Sequence, residues 1–257
     1  MAEDWPQTGN VDFKEYSTKY RPELSCVLEN FDLNVETNQK VGIVGRTGAG
    51  KSSLSLALFR IIEPFEGSIF IDGKDISKLG LQDLRSKLTI IPQEPTLFSG
   101  TVRFNLDPGN AFADDAIHQA IERAGLTSLV GQLSGGLDHG LSEGGAGLSL
   151  GQRQLLCLAR ALLRKSKLLV LDEATAAVDT ATDDRIQNTI RTEFKDCTVM
   201  TIAHRLNTVT GGDIIIVLDK GKMVEQGEPK ELMENPHSQF YGMARAAGIL
   251  KTKNNVD

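Results

Sequence analysis

A glycine-rich loop between an apolar strand and an amphipathic helix limits the architecture of this 257-residue chain more than any other stretch. Residues 41–44 are apolar on both faces, as in a central strand of a parallel sheet. In residues 52–62, apolar side chains recur at helical spacing, and we expect Pro64 and Gly67 to end that helix. A strand, a loop and a helix in this order predict an α/β fold with an open sheet.

The loop itself has the pattern Gly-x-x-x-x-Gly-Lys-Ser at residues 45–52. Its glycines allow backbone N–H groups to curl around an anion, and the helix that follows presents its positive end. Lys51 adds a mobile charge for phosphate groups, and Ser52 can ligate Mg²⁺. We therefore expect the phosphates of a nucleotide to contact Gly45, Arg46, Thr47, Gly48, Ala49, Gly50, Lys51, Ser52 and Ser53.

The remaining patterns fill in one α/β domain, residues 1–257, with an inserted helical part. We predict antiparallel strands within 11–35, further strands at 68–73, 88–91, 168–171, 198–202 and 214–218, a hairpin turn at 220–222, and helices at 116–124, 149–164, 183–194 and 229–234. We expect the core to comprise residues 8–96 and 165–250, the helical insertion 97–164, and a frayed tail 251–257.

Composition excludes several other classes of protein. Charged residues make up 24% and apolar residues 40%, values that fit a globular chain and not a disordered one. The net charge of −6 disfavours a nucleic-acid partner. No apolar run exceeds five residues, so we expect no membrane span, and the N-terminus has no secretory signal pattern. The odd set of Cys26, Cys157 and Cys197 predicts reduced thiols in a cytosolic setting.

A pair of carboxylates follows the apolar residues 168–171. Asp172 and Glu173 would emerge at the carboxyl end of a buried strand, where open α/β sheets bind ligands. Asp172 would hold Mg²⁺, and Glu173 would polarise the attacking water. Taken alone, such a pair is as often the start of a helix. The phosphate loop favours the functional interpretation.

A second anion-seeking helix start lies at residues 148–154, Leu-Ser-Leu-Gly-Gln-Arg-Gln. Ser149 and Gln152 have capping-box spacing, and on spacing alone this is an ordinary capped helix. However, the order of loop, helical insertion, capped helix and Asp-Glu strand resembles the ATP-binding-cassette ATPases, whose signature motif is this LSxGQ type. The resemblance covers residues 11–250, and it implies a P-loop NTPase core with an antiparallel β subdomain and an α-helical subdomain.

The resemblance also implies roles that spacing does not reveal. Tyr20 resembles the aromatic residue that stacks on adenine, although a tyrosine in a strand is more often packing. Gln93 resembles the glutamine that contacts the metal and the attacking water. Asp179 resembles an aspartate that crosses a dimer interface, although its ordinary role is a helix N-cap. His204 resembles the histidine that touches the γ-phosphate, although a single histidine after a strand is usually structural.

Longer runs are similar to the multidrug-resistance-associated (C) subfamily, and specifically to its second nucleotide-binding domain. These runs are residues 41–53, 97–108 and 171–179. Glu173 stands where the first domain of that subfamily commonly has Asp. The chain departs from the usual LSGGQ at Leu150, which places a side chain where the backbone should approach a phosphate, and from the usual preceding Glu at Ala146.

The resemblance implies a head-to-tail dimer that holds two ATP molecules with Mg²⁺. One site would use Lys51, Ser52, Gln93, Asp172, Glu173 and His204, and the partner's site would be closed by Ser149, Gly151 and Gln152. The implied partners are a first nucleotide-binding domain, or a second copy in vitro, and transmembrane domains outside this chain. The implied location is the cytoplasmic face of a membrane.

Three functions compete at this point. The first is an ATPase that drives export, and the second is a nucleotide sensor that gates a channel, as in some members of the same subfamily. The third is a chromosome- or repair-type ATPase, which would need coiled-coil insertions or a basic face. Neither is visible in the sequence, and we rank the three in the order given.

Overall fold

The computed structural model describes residues 5–172, 178–203 and 205–250. Within these ranges the strands are β1 (Val11–Thr18), β2 (Leu28–Val35), β3 (Lys40–Gly45), β4 (Pro64–Ile71), β5 (Lys74–Asp75), β6 (Leu88–Ile91), β7 (Gly100–Thr101), β8 (Gly140–Leu141), β9 (Leu168–Asp172), β10 (Thr198–Ile202), β11 (Ile214–Asp219) and β12 (Lys222–Gly227). The α-helices are α1 (Lys51–Leu58), α2 (Leu81–Lys87), α3 (Val102–Leu106), α4 (Asp114–Arg123), α5 (Thr127–Gln132), α6 (Leu150–Arg164), α7 (Thr180–Glu193), α8 (Pro229–Glu234) and α9 (Gln239–Ala246).

The central sheet has six strands in the order β12-β11-β3-β10-β9-β6. All neighbouring pairs are parallel except β11 with β12, which form an antiparallel hairpin at one edge. β3, which leads into the glycine-rich loop, lies between β11 and β10. The predicted α/β fold with a mostly parallel sheet is therefore confirmed.

Both faces of the central sheet are covered, and β9 shows how. Leu168 and Val170 join a core with α1 and the antiparallel sheet, whereas Leu169 and Leu171 join a second core with α6 and α7. Successive side chains of a strand point to opposite faces, so an uninterrupted apolar run is what such a strand requires. This explains why residues 168–171 have no polar position.

A second sheet is antiparallel, with the strand order β2-β1-β4-β5. The antiparallel strands predicted within 11–35 are present, and β4 begins at Pro64, four residues before the expected strand at Ser68. Gly67 does not end a helix. It lies in β4 with φ of 72°, where a Cβ would come within 2.3 Å of the carbonyl oxygens of Lys14 and Glu15.

The prediction that the first helix extends to Ile62 is wrong, because α1 ends at Leu58. Arg60 has the left-handed φ of 49°, its N–H donates to Ala57 O, and the N–H of Ile61 donates to Leu56 O. These two bonds form a Schellman motif, in which an arginine takes the place usually held by glycine. As a result Ile61, which the helical spacing would have buried, is 63% exposed.

Residues 97–164 contain the predicted helices α4 and α6. They also contain α3, α5 and the short antiparallel pair β7 and β8, which the sequence patterns did not predict. Their apolar side chains form one core with α7, in which Leu158 is completely buried. α7 begins at Thr180, three residues before the expected start. Outside this insertion, α2 and α9 were not predicted from the sequence either.

None of the α-helices in the described ranges combines the length and the apolar character that a membrane crossing requires. The tail predicted at residues 251–257 lies outside the described residues.

Candidate functional site

The glycine-rich loop leaves β3 at Gly45 and enters α1 at Lys51. Gly50 is the N-cap of α1, with φ of 101°, and a Cβ there would lie 2.7 Å from Val27 O. Any other residue at this position would be strained by its backbone conformation and would collide with the neighbouring chain. The predicted strand, loop and helix are thus present, and the loop curls at the amino end of α1.

A cavity of about 770 Å³ opens beside this loop. Of the residues predicted from the sequence, it is lined by Tyr20, Thr47, Gly48, Gly50, Lys51, Ser52, Ser53 and Gln93. Ser25, Cys26, Val27, Glu29, Lys220 and Gly221 also line it. No sequence pattern groups these last six residues with the loop, because they come from distant segments. Gly45 and Arg46 line a separate neighbouring cavity beside α9.

Lys51 is buried at the base of the loop, with 5% of its surface exposed. Its Nζ donates hydrogen bonds to Gly45 O at 3.0 Å and Arg46 O at 3.2 Å. Burial lowers the pKa of the Lys51 ammonium, and the charge of Asp172 opposes that shift. In this structure the ammonium is therefore bound to the loop carbonyls, and it can exchange those hydrogen bonds for a stronger interaction with a bound anion.

Asp172 lies at the carboxyl end of β9 and is partly buried. Among the described residues its buried Oδ1 has no hydrogen-bond partner. Burial raises the pKa of the Asp172 carboxyl, and the charge of Lys51 opposes that shift. Glu173, the neighbouring carboxylate of the prediction, lies outside the described residues, and so does His204.

The donor set fits Mg²⁺ that is shared with a nucleotide. The Asp172 carboxylate, whose buried Oδ1 no described residue satisfies, and the hydroxyl of Ser52 are hard oxygen ligands, which this ion prefers together with phosphates and water. In the described ranges, no three acidic, histidine or cysteine side chains are close enough to form a metal site made of protein alone.

Tyr20 lies beyond the end of β1 and is 50% exposed. Its hydroxyl group shares a hydrogen bond of 2.9 Å with Ser53 Oγ, which fixes the ring at the mouth of the cavity. The alternative interpretation, a tyrosine packed within a strand, does not describe this residue.

Gln93 lines the loop cavity and also a groove of about 620 Å³ beside α6, the signature helix, which begins within the LSxGQ-type motif. The buried Gln154, on α6, donates from Nε2 to Pro92 O at 3.2 Å and Gln93 O at 2.9 Å. These bonds connect α6 directly to the Gln93 segment. No role for Gln154 was predicted, because the one signal it carries in the sequence is its place within a predicted amphipathic helix.

The signature helix starts as the capping-box spacing predicted. Ser149 Oγ accepts from Gln152 N at 3.1 Å, and Gln152 Oε1 accepts from Ser149 N at 2.8 Å. A Cβ at Gly151 would lie 3.0 Å from the Cγ2 methyl of Thr182, so α6 meets the start of α7 closely here. Ser149, Gly151 and Gln152 do not line the cavity beside the loop, as far as the described residues show. Leu150 lines the neighbouring groove.

Asp179 is the N-cap of α7, which is the ordinary role that the sequence offered beside a place at a dimer interface. Its Oδ1 accepts a hydrogen bond from Thr182 N at 3.0 Å at the start of α7. That bond is the largest cause of the lowered pKa of the Asp179 carboxyl.

Comparison with known proteins agrees with this geometry. The chain is 59% identical over 246 residues to ATP-binding cassette sub-family C member 2 of Mus musculus, a match that covers 96% of this chain and 16% of that protein. It is 56% identical over 248 residues to metal resistance protein YCF1 of Saccharomyces cerevisiae, again covering 96% of this chain and 16% of the relative. The chain thus spans about one sixth of the length of these relatives.

Among solved structures, the fold is similar to that of a bacterial Atm1-family ABC exporter with ATP bound. The TM-score is 0.87 at 33% sequence identity, over 95% of this chain and 43% of that one. The sequence profile of the family described as ABC transporter matches residues 28–176. The loop, the capped signature helix and the Asp172 strand all lie within that match, and the chain therefore belongs to the ABC transporter family, with the nucleotide-binding domain fold of its exporters.

Proposed function

We propose that this chain binds Mg²⁺-ATP in the cavity beside the loop and hydrolyses it to drive export by a C-subfamily type of transporter. The observation that carries the proposal is the pair Lys51 and Asp172. A buried ammonium interacts electrostatically with a partly buried carboxylate where the loop meets the carboxyl end of the sheet, and one oxygen of that carboxylate has no hydrogen-bond partner among the described residues. Such a pair has positions for both a polyphosphate and its metal.

The chemistry would consist mainly of positioning and charge stabilisation. Lys51 and the backbone N–H groups of residues 45–53 would hold the phosphates, and the ring of Tyr20 would stack on the adenine. Ser52, Asp172 and Gln93 would hold Mg²⁺, which when bound neutralises phosphate charge. Glu173 would polarise the attacking water, with His204 positioned by the terminal phosphate.

The signature segment supports a dimer. The capped start of α6 contains Ser149, Gly151 and Gln152. Among the described residues, these three do not line the loop cavity of their own chain. We propose that they close the ATP site of a second nucleotide-binding domain, and that Asp179 crosses the interface. Leu150 would make that second site the weaker one, as in the second domain of a C-subfamily transporter.

The same proposal covers the wider organisation. Residues 8–96 and 165–250 would form the ATP-binding core and residues 97–164 the helical subdomain, at the cytoplasmic face of a membrane. The Gln154 bonds to the Gln93 segment support movement of the helical part together with that segment. Transmembrane domains would supply the transport pathway and select the substrate.

The test is Mg²⁺-ATP binding and phosphate release by the purified chain over a range of protein concentrations, alongside Lys51→Ala and Glu173→Gln. We expect tight binding by the wild type and by Glu173→Gln, and loss of binding in Lys51→Ala. Turnover that rises with concentration and is absent in Glu173→Gln would support a shared site. Equal turnover in Glu173→Gln and the wild type would contradict the mechanism, and no nucleotide binding at all would overturn the proposal.

A further inference from the structure

The hairpin turn between β11 and β12 forms one wall of the loop cavity, and the function above gives it no role. Asp219 pairs with Lys222, and the two central residues, Lys220 and Gly221, have φ of 48° and 79°. Two consecutive residues of positive φ are typical of a type I′ hairpin turn, which is tight and well defined.

This turn is fixed to the phosphate loop by backbone contacts. The N–H of Gly221 donates to Ala49 O at 2.9 Å, and Gly221 O accepts from the N–H of Glu29 at 3.0 Å. A Cβ at Gly221 would come within 2.6 Å of Val27 O, so the three segments are packed backbone to backbone. The position of the turn relative to the loop is therefore determined by the fold and does not depend on flexible side chains.

The charges at this wall are not balanced. Glu29 and Lys220 both line the cavity. The Glu29 carboxylate is paired with Lys222 Nζ at 3.4 Å, whereas Lys220 is exposed and forms no ion pair with any described residue. Lys220 thus brings to the cavity lining a positive charge that no described residue pairs, whereas the other lining lysine, Lys51, is bound to loop carbonyls.

We propose that Lys220 is a second phosphate-binding lysine, which approaches the nucleotide from the hairpin side while Lys51 approaches it from within the loop. This inference depends on the proposed nucleotide binding and adds a residue to that site. An ammonium attracts a polyphosphate through both direct contact and the wider electrostatic field, so its contribution should decrease as salt screens it. It should act on ATP and ADP alike, because both carry several phosphate charges.

The experiment measures ATP and ADP affinity by titration calorimetry on the whole chain, for Lys220→Gln and for the matched control Lys165→Gln. Lys165 is also exposed, has a nearly identical φ of 47°, and does not line the cavity. Both variants therefore remove one charge from a left-handed backbone position. We expect roughly three- to tenfold weaker binding of both nucleotides in Lys220→Gln only, with the difference shrinking at high salt.

The outcomes separate this inference from the function on which it depends. If the nucleotide affinity of Lys220→Gln is within twofold of the wild type while Lys51→Ala binds no nucleotide, the role of Lys220 is refuted and the proposed nucleotide binding stands. The proposed contact is also refuted if salt does not change the loss of nucleotide affinity in Lys220→Gln. It is likewise refuted if Lys165→Gln loses as much affinity as Lys220→Gln. A wild-type chain that binds neither nucleotide refutes the proposed function itself.

Discussion

Asp172 is a carboxylate placed for a ligand at a cost to the ligand-free protein. Burial is the larger cause of its raised pKa, above the ordinary 3.8, and Lys51 only partly opposes it. A group whose pKa is higher in the folded state stabilises folding below its unfolded pKa, and this contribution is lost as the pH rises through the folded value. In the absence of nucleotide, Asp172→Asn should therefore gain stability over the wild type as the pH is raised from 4 to 7.

Urea unfolding at several pH values would measure this difference. Asp179→Asn is the control of opposite sign, because the bond from Thr182 lowers the pKa of Asp179 and its charged form stabilises the fold. That variant should lose stability relative to the wild type as the pH is raised from about 3 to about 5, and only slightly because the residue is exposed. If the free energy of unfolding changes with pH in the same way for the wild type and for Asp172→Asn, the burial argument is contradicted.

The three cysteines differ in access, and only one of them lines the cavity. Cys26 is partly exposed there, Cys157 is buried, and the Cys197 thiol donates to Ser166 O. Burial also raises the pKa of the latter two thiols, which slows their reaction. A maleimide should therefore modify Cys26 first, and Mg²⁺-ATP should slow that modification several-fold.

Mass spectrometry of the labelled peptides would identify the site. Cys26→Ser is the control and should remove the fast phase of labelling. A fast phase that is unaffected by saturating nucleotide would mean that the nucleotide does not occupy this side of the cavity.

The capping box at the start of α6 should contribute to the stability of the protein through the hydroxyl group of Ser149. Ser149→Ala removes the acceptor for Gln152 N, and we expect a loss of about 1 kcal/mol in the free energy of unfolding. Chemical denaturation would measure the loss against Ser99→Ala, which changes an exposed serine outside any helix. Equal stability of the two variants would show that the box does not support the helix.

Elements with a strong local signal were predictable from the sequence, and those governed by distant contacts were not. The capped start of α6 and the apolar β9 need only their own residues, so both were predicted closely. α1 ended early because Arg60, held by the carbonyl oxygens of Ile76 and Leu79, adopts a left-handed conformation that no local pattern encodes. Likewise, the wall of Glu29 and Lys220 depends on a contact between two different sheets, in which the N–H of Glu29 donates to Gly221 O.

At the scale of the molecule, the two main cores share β9, and we expect them to unfold together. Leu158 lies in the core of the helical part, whereas Trp5, the single tryptophan, lies in the other core and donates from Nε1 to Ile71 O at 3.0 Å. Leu158→Ala should cost about 2–5 kcal/mol. It should move the unfolding midpoint seen by Trp5 fluorescence as far as the midpoint seen by far-ultraviolet circular dichroism.

Leu54→Ala, in the core that contains Trp5, is the matched variant, because Leu54 is also completely buried. Both variants should show coincident midpoints by the two probes. If Leu158→Ala separates the probes and leaves the Trp5 transition in place, the helical part unfolds independently.

The backbone packing of Gly50, Gly221 and Val27 also has a consequence for how this family can diverge. At positions 50 and 221 a side chain would collide with the main chain at 27, whereas the contact at 27 involves only its backbone carbonyl group and not its side chain. Saturation mutagenesis should therefore tolerate many residues at 27 and almost none at the two glycines. Paralogues can thus vary the side chains at 27 and its neighbours along the cavity wall, while the backbone arrangement of the glycine-rich loop and the hairpin turn is inherited unchanged.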